Sequence, residues 1–121
     1  MDADHPYEIA VGPGDERLVE IPIHWAVDDW EQYCYLQGLF ESNPIGRPLQ
    51  AREMWSAELQ ATTGDGGCFV LTAHPFLSGR PARAAALGEL MREATERPGV
   101  LVASMAEIAL YERSLSLTPR R

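Results

Sequence analysis

Lysine is missing from this chain of 121 residues: all ten basic residues are arginine, set against 18 Asp and Glu for a net charge of −8. That balance excludes nucleic acid and anionic membrane as the main partner, because both are held by basic patches. Cysteine is scarce. Cys34 and Cys68 stand far apart and fit neither C-x-x-C nor zinc spacing, so they read as reduced thiols. No apolar run reaches the length of a membrane span, and the acidic start Met1-Asp2-Ala3-Asp4-His5-Pro6 has none of the features of a signal or transit peptide. The expected address is therefore the cytoplasm, with no membrane partner. Internal repeats and low-complexity segments are also lacking.

What is present suits a small folded domain. Hydrophobic residues make up 45% of the chain, enough for a core without disulfides or metal at this length. Residues 1–17, rich in Asp, Pro and Gly, read as an extended segment with a turn at Gly12-Pro13-Gly14-Asp15. The main domain is expected over residues 18–116, with a loose tail at 117–121. Leu18–Ile23 alternates as a strand does, and Pro22 places it near an edge. A short helix is expected from Asp28-Asp29-Trp30 to about Leu39, and a second from about Pro48 to Ala61 with Ala51, Met54 and Trp55 on its buried stripe. Cys68–Ala73 is an almost unbroken apolar run, as in a strand buried on both faces of a parallel sheet. A third helix is expected over Pro81–Glu96, with Leu87, Leu90, Met91 and Ala94 facing the core. Val100–Ala103 reads as another buried strand, and Ser104-Met105-Ala106-Glu107 as a capping box opening a last helix to about Ser114. The order β, α, α, β, α, β, α predicts the α/β class, with parallel β/α units joined by right-handed crossovers. Three parallel strands would leave both sheet edges open.

Several residues could carry chemistry. His74 ends a buried strand just before a Gly/Pro loop, where active sites of parallel α/β folds are built; a hydrogen-bonded loop histidine fits the same position. Asp28 and Asp29 could orient an imidazole for general acid work, or simply cap a helix. Arg80 and Arg83 sit at a helix N-terminus, where the dipole disfavours a cation, so a substrate oxygen or a structural carboxylate is expected to use the charge. Trp25, Trp30 and Tyr33 could stack on a sugar or belong to the core. Asp2, Asp4, His5 and His24 carry no H-x-x-x-H or H-E-x-x-H spacing, so no metal site is expected in this chain. The glycines at 64–67 lack the Lys-Ser/Thr of a phosphate loop, and no G-x-S-x-G occurs.

Taken together, Glu20-Ile21-Pro22-Ile23-His24-Trp25-Ala26-Val27-Asp28-Asp29-Trp30 and Leu71-Thr72-Ala73-His74-Pro75-Phe76-Leu77-Ser78-Gly79-Arg80-Pro81-Ala82-Arg83 resemble the polysaccharide deacetylase family (carbohydrate esterase family 4). The resemblance is to the branch of peptidoglycan deacetylases and related ureide (allantoin) hydrolases. Asp4–Glu8 and Val102–Ala109 share it, so it spans about residues 2–112. It implies a distorted (β/α) barrel that hydrolyses an N-acetyl or cyclic amide with a divalent metal. On that likeness His74 is the general acid and Asp28 or Asp29 its orienting carboxylate, while Arg80, Trp30 and Trp25 contact substrate. The family's T-F-D-x-D-like strand and H-x-x-x-H metal pair are absent, so the chain matches the C-terminal half of the barrel without metal ligands or catalytic base. The implied partner is a chain supplying the N-terminal half; the alternative is a non-catalytic homodimeric half-barrel.

Overall fold

The structure, a computed structural model, describes residues 5–14, 16–36, 38 and 45–115. Strands β1 (Tyr7–Ala10) and β2 (Arg17–Glu20) form an antiparallel hairpin, with Tyr7 opposite Glu20 and Ala10 opposite Arg17. The segment expected to be a separate extended arm therefore pairs with the start of the domain. Gly12, at φ 73°, supplies the left-handed residue of the connection. Glu8 is buried at the hairpin, and its Oε2 accepts from Arg17 Nη1 at 3.1 Å.

A 3-10 turn at Trp25–Val27 leads into α1 (Asp29–Tyr33), followed by α2 (Pro48–Gly64), the single turn α3 (Pro75–Ser78), α4 (Pro81–Glu96) and α5 (Met105–Ser114). Three of these helices open on proline, whose fixed φ suits the first helical positions. Helix α5 starts on the expected capping box, with Ser104 and Glu107 exchanging hydrogen bonds. It lies against the hairpin, where Arg113 Nη2 donates to the Arg17 carbonyl at 2.9 Å.

The core lies between α2 and α4, closed by α1 and α3. Ala51, Trp55 and Leu59 on α2 meet Leu90 on α4, Leu77 on α3, and Val27, Tyr33 and Cys34 around α1. Trp55 is 1% exposed; its Nε1 donates to the Ala26 carbonyl at 3.1 Å and its ring meets Tyr33 edge-on at 6.0 Å. These contacts tie the 3-10 turn and α1 to the long helix.

The parallel sheet is the main departure from expectation. Among the described residues the one sheet is the antiparallel hairpin, and parallel pairing is confined to an isolated bridge between Asp28 and Thr72. Residues 68–72 are half-buried rather than enclosed and Ala73 is exposed: Phe69 and Leu71 touch the core, but no neighbouring strand among the described residues covers their edge. Residues 100–103 also stay outside any strand, with Leu101 83% exposed. Apolar composition marks a segment fit for a buried strand, yet a ladder forms only where a second backbone supplies donors and acceptors.

Helix α1 ends at Tyr33, short of Leu39, which lies outside the described residues, as do the tail at 117–121 and Asp2 and Asp4. On α4, Leu90 is buried as expected, but Met91 is exposed and Ala86 takes a buried place instead. The helix rolls to seat Leu90 against α2, which turns the next residue outward.

Polar contacts fix the α2–α4 pair. Ser56 Oγ donates to the Glu93 carboxylate at 2.7 Å, Gln60 Nε2 reaches it at 3.2 Å, and Arg52 pairs with Glu89 at 3.2 Å. The Ser56 hydrogen bond is the main cause holding the Glu93 carboxyl below its usual range. A carboxyl lowered on folding adds stability above its unfolded value of about 4.3, and that stability is lost as pH falls through the folded value. Ser56→Ala is therefore expected to cost about 1 kcal/mol at pH 7 in urea titration, with a smaller difference between the two proteins near pH 3.

Candidate functional site

The Asp28–Thr72 bridge assembles the site. Thr72 N donates to the Val27 carbonyl at 2.9 Å and Asp29 N to the Thr72 carbonyl at 3.1 Å, which lays the start of α1 beside the extended chain two residues before His74. Asp28 is the N-cap of α1: its Oδ1 accepts from Trp30 N at 2.8 Å. Asp29 begins the helix and turns inward, with 0% exposure.

The Asp29 carboxylate takes three hydrogen bonds. Oδ1 lies 2.6 Å from His74 Nδ1; Oδ2 accepts from His74 N at 2.8 Å and from Ser78 Oγ at 2.5 Å. The charge is satisfied entirely by groups at the start and end of α3, which is how a buried carboxylate is tolerated. An ionised Asp29 keeps the imidazole proton on Nδ1 and leaves Nε2 as the second ring nitrogen. The sequence allowed either aspartate to face His74. Asp29 makes the bond, while Asp28 caps the helix with Oδ1 3.8 Å from Nδ1.

The imidazole stands between two aromatic rings, Trp30 at 5.5 Å and Phe76 at 5.8 Å, both edge-on. It opens onto a cleft of about 510 Å³ lined by Trp25, Asp28, Trp30, Glu31 and His74. Trp25, which sequence left open as core or sugar-stacking, is 77% exposed at this cleft. Trp30 does both, packing on the core and lining the opening.

The arginines fall elsewhere. Arg80 occupies the N-cap position of α4, exposed and not among the cleft-lining residues, because the chain has already turned away at Gly79. A Cβ at Gly79 would run into the Pro75 carbonyl, so this turn admits no larger residue without shifting. Arg83 Nη1 donates to the Leu77 carbonyl at 3.1 Å and the guanidinium lies 4.3 Å over the Tyr33 ring, with no ion pair to a carboxylate among the described residues. Burial pushes the Tyr33 hydroxyl above its usual pKa, with Arg83 opposing. Ser78, Phe76 and Glu31 were not singled out by sequence. Ser78 follows His74 at i+4, the spacing that returns a side chain to the same side of a helical turn, and that was its available signal.

Asp28, Asp29 and His74 are the one cluster of potential metal ligands among the described residues. Their donors do not suit a catalytic cation. Asp29 spends both oxygens on three donors, and Nδ1 of His74 is held by Asp29, so a metal would have to break that set. Protein purified without chelator or affinity tag should therefore contain far less than one zinc, cobalt, nickel or iron per chain by mass spectrometry. The two aspartates should also separate in denaturant titration. Asp29→Ala, which strands three donors, is expected to cost about 3 kcal/mol. Asp28→Ala, which removes a cap, should cost about 1 kcal/mol.

No protein-family model matches the chain, and no curated protein matches it. Among solved structures it is similar to one described as "Crystal structure of putative polysaccharide deacetylase from Mycobacterium smegmatis", with 52% sequence identity and a TM-score of 0.92. The match covers 100% of this chain and 42% of that one. No helix among the described residues is long and apolar enough to cross a membrane. The chain is thus related, along its entire length, to one part, 42%, of that longer protein, the one described as a "putative polysaccharide deacetylase".

Proposed function

We propose that this chain carries the proton-donating side of an amide-hydrolysing site acting on an N-acetylated saccharide or a small cyclic amide. The observation behind this reading is the His74–Asp29 pair at 2.6 Å, facing an aromatic cleft in a chain half-identical to part of a polysaccharide deacetylase. Asp29 fixes the ring and its tautomer. The Nε2 nitrogen can then carry a proton to the amine that leaves when the amide carbon–nitrogen bond breaks, with Asp29 stabilising the imidazolium that gives it. Trp25 and Trp30 offer flat apolar faces of the kind that hold a sugar ring.

A general acid contributes on the order of 10²–10⁴-fold and does not hydrolyse an amide alone. On this reading the groups that activate water, and any divalent metal they hold, lie outside these residues, in a partner chain or a further stretch of polypeptide corresponding to the C-terminal barrel half's complement. The match to 42% of a longer relative supports that division. A second reading, a non-catalytic homodimer, is favoured by the apolar surface at Leu101, Val102, Met105, Leu110 and Tyr111. Sedimentation equilibrium separates the two: a stable dimer inert toward any complementing chain supports the homodimer.

Reconstitution tests the catalytic reading. The 58% of the Mycobacterium smegmatis protein left unmatched (100% less 42%) would be co-expressed with this chain, and acetate release from an N-acetylglucosamine oligomer measured. Activity should appear only with both parts, and His74→Ala and Asp29→Asn should each lower it at least about a hundredfold. Co-purifying parts that release no acetate, or release insensitive to His74→Ala, would overturn it.

A further inference from the structure

The hydroxyl of Ser78 departs from the pattern that helical hydroxyls follow elsewhere in the chain. Thr63 and Thr95 each return Oγ1 to the carbonyl four residues back, Leu59 at 2.6 Å and Met91 at 3.1 Å, the ordinary local outlet for such a donor. Ser78 has the same outlet in the carbonyl of His74, which already accepts from Ser78 N at 2.9 Å. Its Oγ instead donates to Oδ2 of Asp29, 49 residues away in sequence.

The result is a division of roles between the two carboxylate oxygens. Oδ2 is held from both ends of α3, by His74 N at 2.8 Å and by Ser78 Oγ, which resists rotation of the carboxylate about its Cβ–Cγ bond. Oδ1 is left for the ring, 2.6 Å from Nδ1. The turn that carries Ser78 is braced in its own right, since Arg83 Nη1 donates to the Leu77 carbonyl and Gly79 N to the Pro75 carbonyl. Ser78 is 5% exposed and is not among the residues lining the cleft, so its hydroxyl is placed to act on Asp29 and not on a substrate. We infer that Ser78 is a positioning residue: by fixing the rotation of Asp29 it fixes the imidazole that His74 presents to the cleft. The use of that ring as an acid rests on the proton-transfer reading above, which this inference deepens. A donor held on the carboxylate's second oxygen keeps the first aligned with Nδ1, and an aligned ring delivers its proton without a search over orientations.

Nuclear magnetic resonance on the chain alone, with isotopically labelled histidine, tests it. The chain has three histidines, and the Nδ1 proton of His74 is assigned by its loss in His74→Gln. In the unaltered chain that proton should resonate downfield, as in a charge-assisted hydrogen bond, and exchange slowly with water. Ser78→Ala should move it upfield and speed its exchange at least about fivefold, the change that losing one hydrogen bond brings. Ser78→Thr, which keeps the hydroxyl, should restore both. A lower thermal midpoint in Ser78→Ala with the resonance and its exchange unchanged would mean that the hydroxyl serves stability only. That result, or a folded Ser78→Thr that restores neither, would overturn the inference and leave the proton-transfer reading standing. If Ser78→Ala does not fold, Ser78→Cys, whose thiol is a weaker donor, is read by the same two criteria and should move both in the same direction. In the reconstituted pair, Ser78→Ala should lower kcat at least about fivefold with KM unchanged. The expected resonance changes in a pair that releases no acetate would uphold the positioning of His74 by Ser78 and overturn the hydrolytic reading alone.

Discussion

A fully buried carboxylate organises this molecule. Asp29 has no access to water, and among the described residues its hydrogen-bond partners are two groups of His74 and the hydroxyl of Ser78. Each of those donors belongs to the short α3 turn, 45 to 49 residues away in sequence. Folding must therefore bring α1 and α3 together before Asp29 can leave water as an anion. The Asp28–Thr72 bridge sets the spacing, Trp55 anchors the turn that precedes α1, and Gly79 lets the chain leave α3 at once for α4.

The same arrangement that stabilises the fold prepares a reactive group. With Nδ1 2.6 Å from Asp29 Oδ1 and the ring flanked by Trp30 and Phe76, His74 is held in one orientation. A histidine so constrained loses little freedom on meeting a substrate, which is the advantage of preorganisation. The cleft beside it stays open because Trp25 and Glu31 project from short elements that no described helix covers. Apolar residues are exposed elsewhere too, at 100–103 and on α5. A surface of that kind suits contact with further protein.

Much of this was legible in the chain. The limits of α4, the capping box of α5 and the buried stripe Ala51 and Trp55 on α2 all follow from local rules, whereas the pairing of His74 with one of two aspartates came from the family resemblance. Those rules are proline at helix starts, 3.6-residue periodicity, and Ser/Glu capping. The resemblance to polysaccharide deacetylases also rested on short local stretches around Asp28-Asp29-Trp30 and His74–Arg83, and the solved relative agrees with it. Of the strands, the one expected over Leu18–Ile23 is present in part, as β2 at Arg17–Glu20, and the two expected to be buried are not. Cys68–Ala73 and Val100–Ala103 have the composition of buried strands, but composition does not supply a neighbouring backbone.

The sequence by itself determined the long helices α2, α4 and α5 and the absence of a recognisable metal motif, because each depends on residues a few positions apart; the two candidate carboxylate partners of His74 came from the family resemblance. Only the tertiary structure decided which aspartate turns inward, that Ser78 joins it, that Arg83 serves Tyr33 and the Leu77 carbonyl, and that Arg80 stays out of the cleft. Those outcomes turn on which donors meet a buried charge once distant segments pack. A linear pattern does not encode that, because burial and hydrogen-bond satisfaction are properties of the assembled interior.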